Sequence, residues 1–318
     1  MLNLPRACLG YLGRHASSAY AISIFLGLAL PQLASALRPA IPISIFIFIM
    51  LAFARANLPG LKIVFARPGR LAYAVAVSSI IPPMVGWVFL SLPMTQNLDP
   101  GLRLGVALMA AAPPLMASPV YAALLGFENS FALTTLVLGM VMTPATAPLL
   151  ASALAGAAVP LSPTALAERL AIFIGGGMIA GLILRRFTGV ERLIHWKNEL
   201  DGIGVLMFFL FAIAAMDGVL DLIVARPGFV LVLLALCSGL SILAFAMGYG
   251  MLKGFGFNDG FSISICIGLR NMGLLMVPII SIVPTTTFLY FALAQVPVYV
   301  APVILKRAKV WLEPRSLS

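Results

Sequence analysis

Two interrupted apolar stretches decide the fold of this chain. The first, at residues 106–126, reads VALMAAAPPLMASPVYAALLG, and the second, at residues 261–279, reads FSISICIGLRNMGLLMVPI. A proline inside a helix removes a backbone hydrogen bond and clashes with the preceding turn, at a cost of about 3 kcal/mol or more. Lipid cannot satisfy the backbone groups that are freed, so each break is expected to face protein or a wet cavity inside a membrane protein.

The composition around these stretches is that of a polytopic membrane protein. Of 318 residues, 62% are hydrophobic and only 9% are charged, and the mean hydropathy is +1.09. A soluble domain carries about 25% charged residues, so a soluble enzyme is excluded. The net charge of +10 lies between long apolar runs, which favours cytoplasmic loops over a nucleic-acid partner. Three distant cysteines, Cys8, Cys237 and Cys266, indicate neither a disulfide framework nor a metal site.

The apolar runs predict ten transmembrane helices. A spanning helix needs about 20 mostly apolar residues, and the least certain boundaries are at Arg38-Pro39 and Glu128-Asn129. The predicted spans lie at residues 17–37, 40–57, 71–92, 102–125, 130–155, 166–186, 202–222, 228–251, 259–281 and 285–305.

The distribution of positive charge supports this count and gives an orientation. With both termini cytoplasmic, fifteen of the 20 Lys and Arg residues fall on the inner side, and one, Arg270, lies inside a span. Cytoplasmic loops are enriched in Lys and Arg, so we expect a multi-pass protein of the cell inner membrane. The four residues on the predicted outer side are Arg38, Arg103, Arg169 and Arg226.

The two halves of the chain have the same predicted layout of spans. A division near residue 163 leaves five spans in residues 1–163 and five in residues 164–318, and an odd number per half places the halves in opposite orientations, as in the inverted repeats of transporters. The fourth span of each half is the interrupted one. Matched breaks indicate a transport site near the midplane of the membrane, and the alternative is a pair of packing kinks.

The segments PPLMASPVYAALLG and CIGLRNMGLL resemble the fourth and ninth helices of the bile acid:sodium symporter family. The resemblance implies an all-α fold of ten transmembrane helices in two inverted five-helix repeats, with helices 4 and 9 broken and crossing. It also implies a core domain (helices 3–5 and 8–10) that moves against a panel domain (helices 1, 2, 6 and 7), with the substrate at the crossing.

The chain departs from the family pattern where the family binds sodium. Cys266 stands where the family has a glutamate, and Arg270 where it has a glutamine. Sodium prefers oxygen ligands, a carboxylate above all, and two unit charges 5 Å apart repel by roughly 3 kcal/mol at an effective dielectric of 20. We therefore expect weakened or absent sodium coupling, no other cofactor and no resident metal. The positions equivalent to the family's cation ligands are Cys266, Ser118, Thr134 and Ser78.

Arg270 is the residue on which the functional hypothesis depends. An arginine at membrane depth usually marks a functional path or a buried pair, and no Asp or Glu lies in the middle of a predicted span. We predict that its guanidinium replaces the missing cation and binds a substrate carboxylate bidentately. In the alternative, it caps the exposed carbonyls of the fourth-span break. The predicted substrate site consists of Arg270, Asn271, Ser118, Pro119, Pro114, Met116, Gly268 and Gln295.

The predicted function is secondary transport of a small organic anion by a monomer. One alternative is a genuine sodium symporter with rebuilt sites, and another is an exchanger or facilitator like the distantly similar auxin-carrier and arsenite-efflux families. The arsenite-efflux family has a fourth-span cysteine that this chain lacks. A membrane-embedded enzyme would need a nucleophile with its base or paired acids at depth, whereas both histidines, His15 and His195, lie in predicted cytoplasmic segments. A sensor would need a soluble output domain.

Overall fold

A computed structural model describes residues 25–55, 64–127, 130–156 and 162–313. These ranges form α-helices joined by short turns, and their only β structure is one isolated bridge. The helices are α1 Pro31–Leu37, α2 Ala40–Ala54, α3 Pro68–Ser91, α4 Pro100–Ala111, α5 Ser118–Leu124, α6 Ser130–Ala155, α7 Pro163–Thr188, α8 Val190–His195, α9 Lys197–Ala215, α10 Val219–Ala225, α11 Pro227–Met251, α12 Phe257–Gly268, α13 Met272–Met276 and α14 Thr285–Leu312.

The helices confirm an all-α, multi-pass membrane protein. Within the described ranges, six helical stretches are long and apolar enough to span a membrane, namely α3, α6, α7, α9 with α10, α11 and α14. A seventh is formed by α1 and α2 together, which are bent by 60° at residues 38–39. The start of the predicted first span and the boundary predicted at Glu128-Asn129 lie outside the described residues.

Both helix breaks expected from the sequence are present. The predicted fourth span consists of α4 and α5, separated by residues 112–117, and the predicted ninth span consists of α12 and α13, separated by residues 269–271. The helix α4 begins with a regular cap. The Asp99 side chain accepts a hydrogen bond from the Leu102 amide, and Pro100 occupies the first helical position. The start of α4 is therefore set by local sequence.

Three other predicted spans contain residues that can break a helix, and one of the three is interrupted. The predicted seventh span is interrupted, because α9 ends at Ala215 and α10 begins after Gly218, whose φ of +73° favours glycine. Conversely, the prolines of the predicted fifth and tenth spans do not interrupt them. The helices α6 and α14 run continuously through two internal prolines each.

The helices pack in two groups. The helices α1, α2, α7 and α9 contact one another, while α3, α4, α6, α11, α12 and α14 contact one another. Glycines allow close approach within each group. A Cβ atom added at Gly181 of α7 would lie 2.4 Å from the Met50 carbonyl of α2, and one at Gly105 of α4 would lie 2.8 Å from the Tyr290 ring of α14.

Candidate functional site

The two helix breaks meet and pair through their backbones. Pro114 and Arg270 form an isolated antiparallel β-bridge. On one side of it the Leu115 amide donates a hydrogen bond to the Leu269 carbonyl (2.8 Å), and on the other the Asn271 amide donates to the Pro113 carbonyl (2.8 Å). Backbone groups that leave a helix inside a membrane need partners, and here each break supplies partners for the other. We call this region the crossing (residues 112–118 and 268–272).

The Arg270 side chain binds three backbone carbonyls around the crossing. Its Nη1 donates to the carbonyls of Ser78 and Cys266, both at 3.2 Å, and its Nη2 donates to the carbonyl of Ala112. The Nε atom is buried and has no hydrogen-bond partner among the described residues. The guanidinium thus reaches α3, the end of α4 and the end of α12, which lie in one packing group.

All three carbonyls lack the donor that a regular helix would provide. The amide four residues beyond Ser78 would belong to Pro82, which has no N–H. Cys266 lies in the last turn of α12, and Ala112 immediately follows α4. The carboxyl end of a helix carries about half a negative charge, so the ends of α4 and α12 together nearly balance one guanidinium. A cation is therefore electrostatically favoured here, and this chain supplies it covalently.

The same rule operates at two other internal prolines. Pro297 frees the Leu293 carbonyl, which lies 3.8 Å from the Cys237 sulfur, although the nearer acceptor for that thiol is the Leu234 carbonyl in its own helix (3.4 Å). Pro302 frees the Val298 carbonyl, which accepts one from the Tyr121 hydroxyl (3.2 Å). Sequence reasoning offered the Ala112 acceptor only through the capping alternative and missed the carbonyls of Ser78 and Cys266. The proline four residues after Ser78 was the signal that could have found the first of these two.

The four residues at the positions equivalent to the family's cation ligands are buried, and two of their side chains donate hydrogen bonds to different backbone carbonyls. The Cys266 thiol donates to the Ala132 carbonyl (3.5 Å), and the Thr134 hydroxyl donates to the Ser130 carbonyl (2.7 Å) within its own helix. The hydroxyls of Ser78 and Ser118 are buried without a hydrogen-bond partner among the described residues. Within those residues, no group of three His, Cys, Asp or Glu side chains is placed to hold a metal ion.

The structure brings most of the predicted substrate residues to the crossing. Pro114 and Arg270 form the bridge itself, and the Asn271 side chain accepts a hydrogen bond from the Leu274 amide (3.3 Å), which caps α13. Gln295 is buried in α14, and its amide donates to the Phe291 carbonyl one turn earlier (3.1 Å). The remaining predicted residues lie in or beside the two breaks, at Gly268, Met116, Ser118 and Pro119.

Two arginines link the two packing groups near the predicted outer side. The Arg38 guanidinium, between α1 and α2, pairs with the Asp217 carboxylate (3.1 Å) and lies 4.1 Å from the centre of the Phe288 ring of α14. Arg169 of α7 donates to the Pro278 carbonyl beyond α13 (2.8 Å). These contacts hold the outer ends of the two groups together. Arg38 also lines a cavity of about 360 Å³ between them.

The chain matches a known protein family. A family model described as the sodium bile acid symporter family matches residues 40–226, more than half of the chain. The matched region includes α2 to α10, and therefore the first of the two breaks. A search of curated proteins finds no significant match.

Proposed function

Because the chain belongs to the sodium bile acid symporter family, we propose that it is a secondary transporter that moves a small organic anion across the membrane by alternating access. The observation that carries this proposal is the crossing, where two broken helices meet and a guanidinium lies between their ends. Broken helices that meet inside the membrane are the usual place where secondary transporters hold their substrates and ions.

The proposed architecture has ten spans in two inverted repeats, residues 1–163 and 164–318. The two packing groups support a division into a panel (α1, α2, α7 and α9) and a core (α3 to α6 and α11 to α14), because most of the extensive helix contacts are made within a group, the main exception being that of α7 with α6. The short helix α10, which ends the predicted seventh span, packs against α11 and α14. Alternating access would then be a movement of the core against the panel. The distribution of Lys and Arg supports cytoplasmic termini in the inner membrane, and we propose a monomer as the working unit.

In this proposal, Arg270 takes the place of a coupling cation. Its guanidinium donates to carbonyls at the carboxyl ends of two half-helices, where partial negative charge would otherwise attract a metal ion. An arginine stays protonated and cannot leave its site. Sodium coupling is therefore weak or absent, because a permanent positive charge opposes a second cation at the same place.

The substrate would bind on the crossing itself. The two N–H groups of Arg270 that its three described hydrogen bonds leave unused would donate to a carboxylate, and Asn271, Ser118 and Gln295 would offer neutral hydrogen bonds. The buried hydroxyl of Ser118 has no partner among the described residues, which supports its use by a ligand. The apolar body of the substrate would contact the small and apolar residues of the breaks, namely Pro114, Met116, Pro119 and Gly268.

A second candidate function is a genuine sodium-coupled symporter with rebuilt sites. It is favoured by two buried hydroxyl oxygens, that of Ser78, whose own carbonyl accepts from Arg270, and that of Ser118, which lies against the Cys266 thiol. Neutral oxygens can bind sodium, although more weakly than a carboxylate does.

Uptake into proteoliposomes distinguishes these functions. A panel of radiolabelled small carboxylates is offered with sodium on both sides, and then with all sodium replaced by choline. We expect uptake to persist in choline, whereas its complete loss would establish the sodium-coupled alternative. Arg270→Gln is expected to reduce the affinity for the transported anion, and the matched change at the exposed Arg186 is expected to leave it unchanged. Unchanged affinity in Arg270→Gln would refute the carboxylate role.

A further inference from the structure

Two helices of the core meet near their ends, where the amino-terminal end of α3 lies against the carboxyl-terminal end of α11 and the turn that follows it. Nη2 of Arg70 donates a hydrogen bond to the Phe255 carbonyl (3.0 Å), and the Tyr73 hydroxyl donates one to the Met251 carbonyl (3.3 Å). The rings of Tyr73 and Phe255 are stacked, with 6.0 Å between their centres. We call this place the α3–α11 seam.

The sequence on both sides of the seam is basic. The chain that leads into α3 contains Lys62, Arg67 and Arg70 but no acidic residue, and the turn after α11 contains Lys253. The next acidic residue along the chain is Asp259, whose carboxylate lies 3.9 Å from the Arg70 guanidinium. Arg67 and Lys253 are exposed, and neither forms an ion pair with another described residue. Their two positive charges are therefore available to an anionic partner.

Apolar surface is exposed at the same place, at the edge of the membrane. Phe65 is 52% exposed, Tyr73 is 43% exposed and Met251 is 48% exposed. With 24 and 25 residues, α3 and α11 are about 36 and 38 Å long, whereas the hydrocarbon core is about 30 Å thick. Each helix is therefore long enough to carry a charged end into the headgroup layer, and tyrosine is enriched at that depth.

This combination of charge and apolar surface matches one class of partner. The phosphate of a phospholipid accepts hydrogen bonds from Arg and Lys, and its acyl chains cover apolar side chains at the edge of the hydrocarbon core. A soluble phosphate or an acidic peptide would neutralise the charge but leave Phe65, Tyr73 and Met251 uncovered. In the proposed orientation the seam is on the cytoplasmic side, where basic pockets between transmembrane helices bind anionic headgroups.

We infer that the α3–α11 seam is a binding site for an anionic phospholipid, whose phosphate is held by Arg67 and Lys253 and whose acyl chains cover Tyr73 and Met251. Arg70 has a different role, because its guanidinium already donates to the Phe255 carbonyl and holds the two parts of the seam together. This inference goes beyond the proposed transport function, because it requires only two helix ends, their exposed charges and their exposed apolar side chains.

The test is a thermal-unfolding measurement on the purified full-length protein in a non-ionic detergent, without an organic substrate. Phosphatidylglycerol, phosphatidylcholine and glycerol phosphate are titrated separately at constant ionic strength. We expect phosphatidylglycerol alone to raise the melting temperature by several degrees in a saturable manner. An equal rise with phosphatidylcholine would show that the charge of the lipid is irrelevant, and an equal rise with glycerol phosphate would indicate a site for soluble phosphates. Either result, or the absence of a rise with phosphatidylglycerol, would overturn the inference.

Two matched double variants locate the site. Arg67→Gln with Lys253→Gln removes the two exposed charges of the seam, whereas Arg186→Gln with Arg192→Gln removes two exposed charges at the end of α7 and in α8. At about 1 kcal/mol for each Lys or Arg near an anionic lipid surface, the seam variant should bind phosphatidylglycerol about 30-fold more weakly, and the other variant should bind it as the native protein does. Equal binding by the two variants would place the lipid elsewhere and overturn the inference. Because no substrate is present, this result is independent of whether the protein transports an organic anion.

Discussion

The carbonyl freed by Pro302 gives a sharp test of how this fold tolerates prolines. The Val298 carbonyl accepts a hydrogen bond from the buried Tyr121 hydroxyl at 3.2 Å and has no helical donor. Side-chain hydrogen bonds between membrane helices average about 0.6 kcal/mol and reach about 1.7. Because this acceptor has lost its helical donor, we expect Tyr121→Phe to lower the free energy of unfolding by about 1.5 kcal/mol.

The physical reason can be isolated by restoring the missing backbone donor. Pro302→Ala gives residue 302 an N–H that can donate to Val298 within α14. In that background Tyr121→Phe should cost only a few tenths of a kcal/mol, so the double-mutant cycle should show a coupling of about 1 kcal/mol. The free energy of unfolding is measured by denaturation with sodium dodecyl sulfate in mixed micelles.

A matched control is provided by another tyrosine. The Tyr73 hydroxyl donates to the Met251 carbonyl at 3.3 Å, but this contact is exposed, so Tyr73→Phe is expected to change stability by less than about 0.5 kcal/mol. If Tyr121→Phe instead lowered the free energy of unfolding equally in the native and Pro302→Ala backgrounds, that result would show that the loss of the helical donor does not explain the strength of this hydrogen bond.

Three further predictions use the same denaturation assay or chemical labelling. Arg270→Gln should destabilise the protein by about 3 kcal/mol or more, because three buried carbonyls lose a charged donor, whereas Arg186→Gln should stay within about 0.5 kcal/mol. Gly105→Ala should cost about 1 to 3 kcal/mol, since its Cβ would lie 2.8 Å from a packed tyrosine ring; an unchanged stability would show that α4 can move aside. A cysteine introduced at the buried Leu289 should react faster with maleimide added from the outer side when Arg38→Gln is also present, because this change removes the link between the two packing groups. Equal labelling with and without Arg38→Gln would show that this link does not restrict access.

Much of the helix layout could be predicted from the sequence because it is a local property. The fifth span was predicted at residues 130–155 and is observed as Ser130–Ala155. Both breaks coincide with clusters of prolines or of glycine and polar residues in apolar runs. The break at Gly218 was missed because a single glycine in an apolar run gives only a weak signal for the positive φ that it adopts here.

The environment of Arg270 could be predicted only in part. Its nearness to the first break followed from the resemblance, and its binding of the Ala112 carbonyl agrees with the capping role weighed as the alternative. The other two acceptors are the Ser78 carbonyl of α3 and the Cys266 carbonyl in the last turn of α12. Which carbonyls the guanidinium reaches depends on the three-dimensional path of its side chain. Ser78 was identified only as a position equivalent to a cation ligand of the family, and its described contact with Arg270 uses its carbonyl. The substrate contact predicted for Arg270 stays a prediction.

The bridge between the two breaks has a consequence for biogenesis. Arg270 and Ala112, which it brings together, are 158 residues apart in sequence. While the ribosome is still producing the second half, the unwound segment of the first half therefore has neither its backbone partners nor its guanidinium, and it must remain in water, in the translocon or against a chaperone. Insertion of the amino-terminal half would stay incomplete until the ninth span arrives, which makes a truncated product a natural substrate for quality-control proteases.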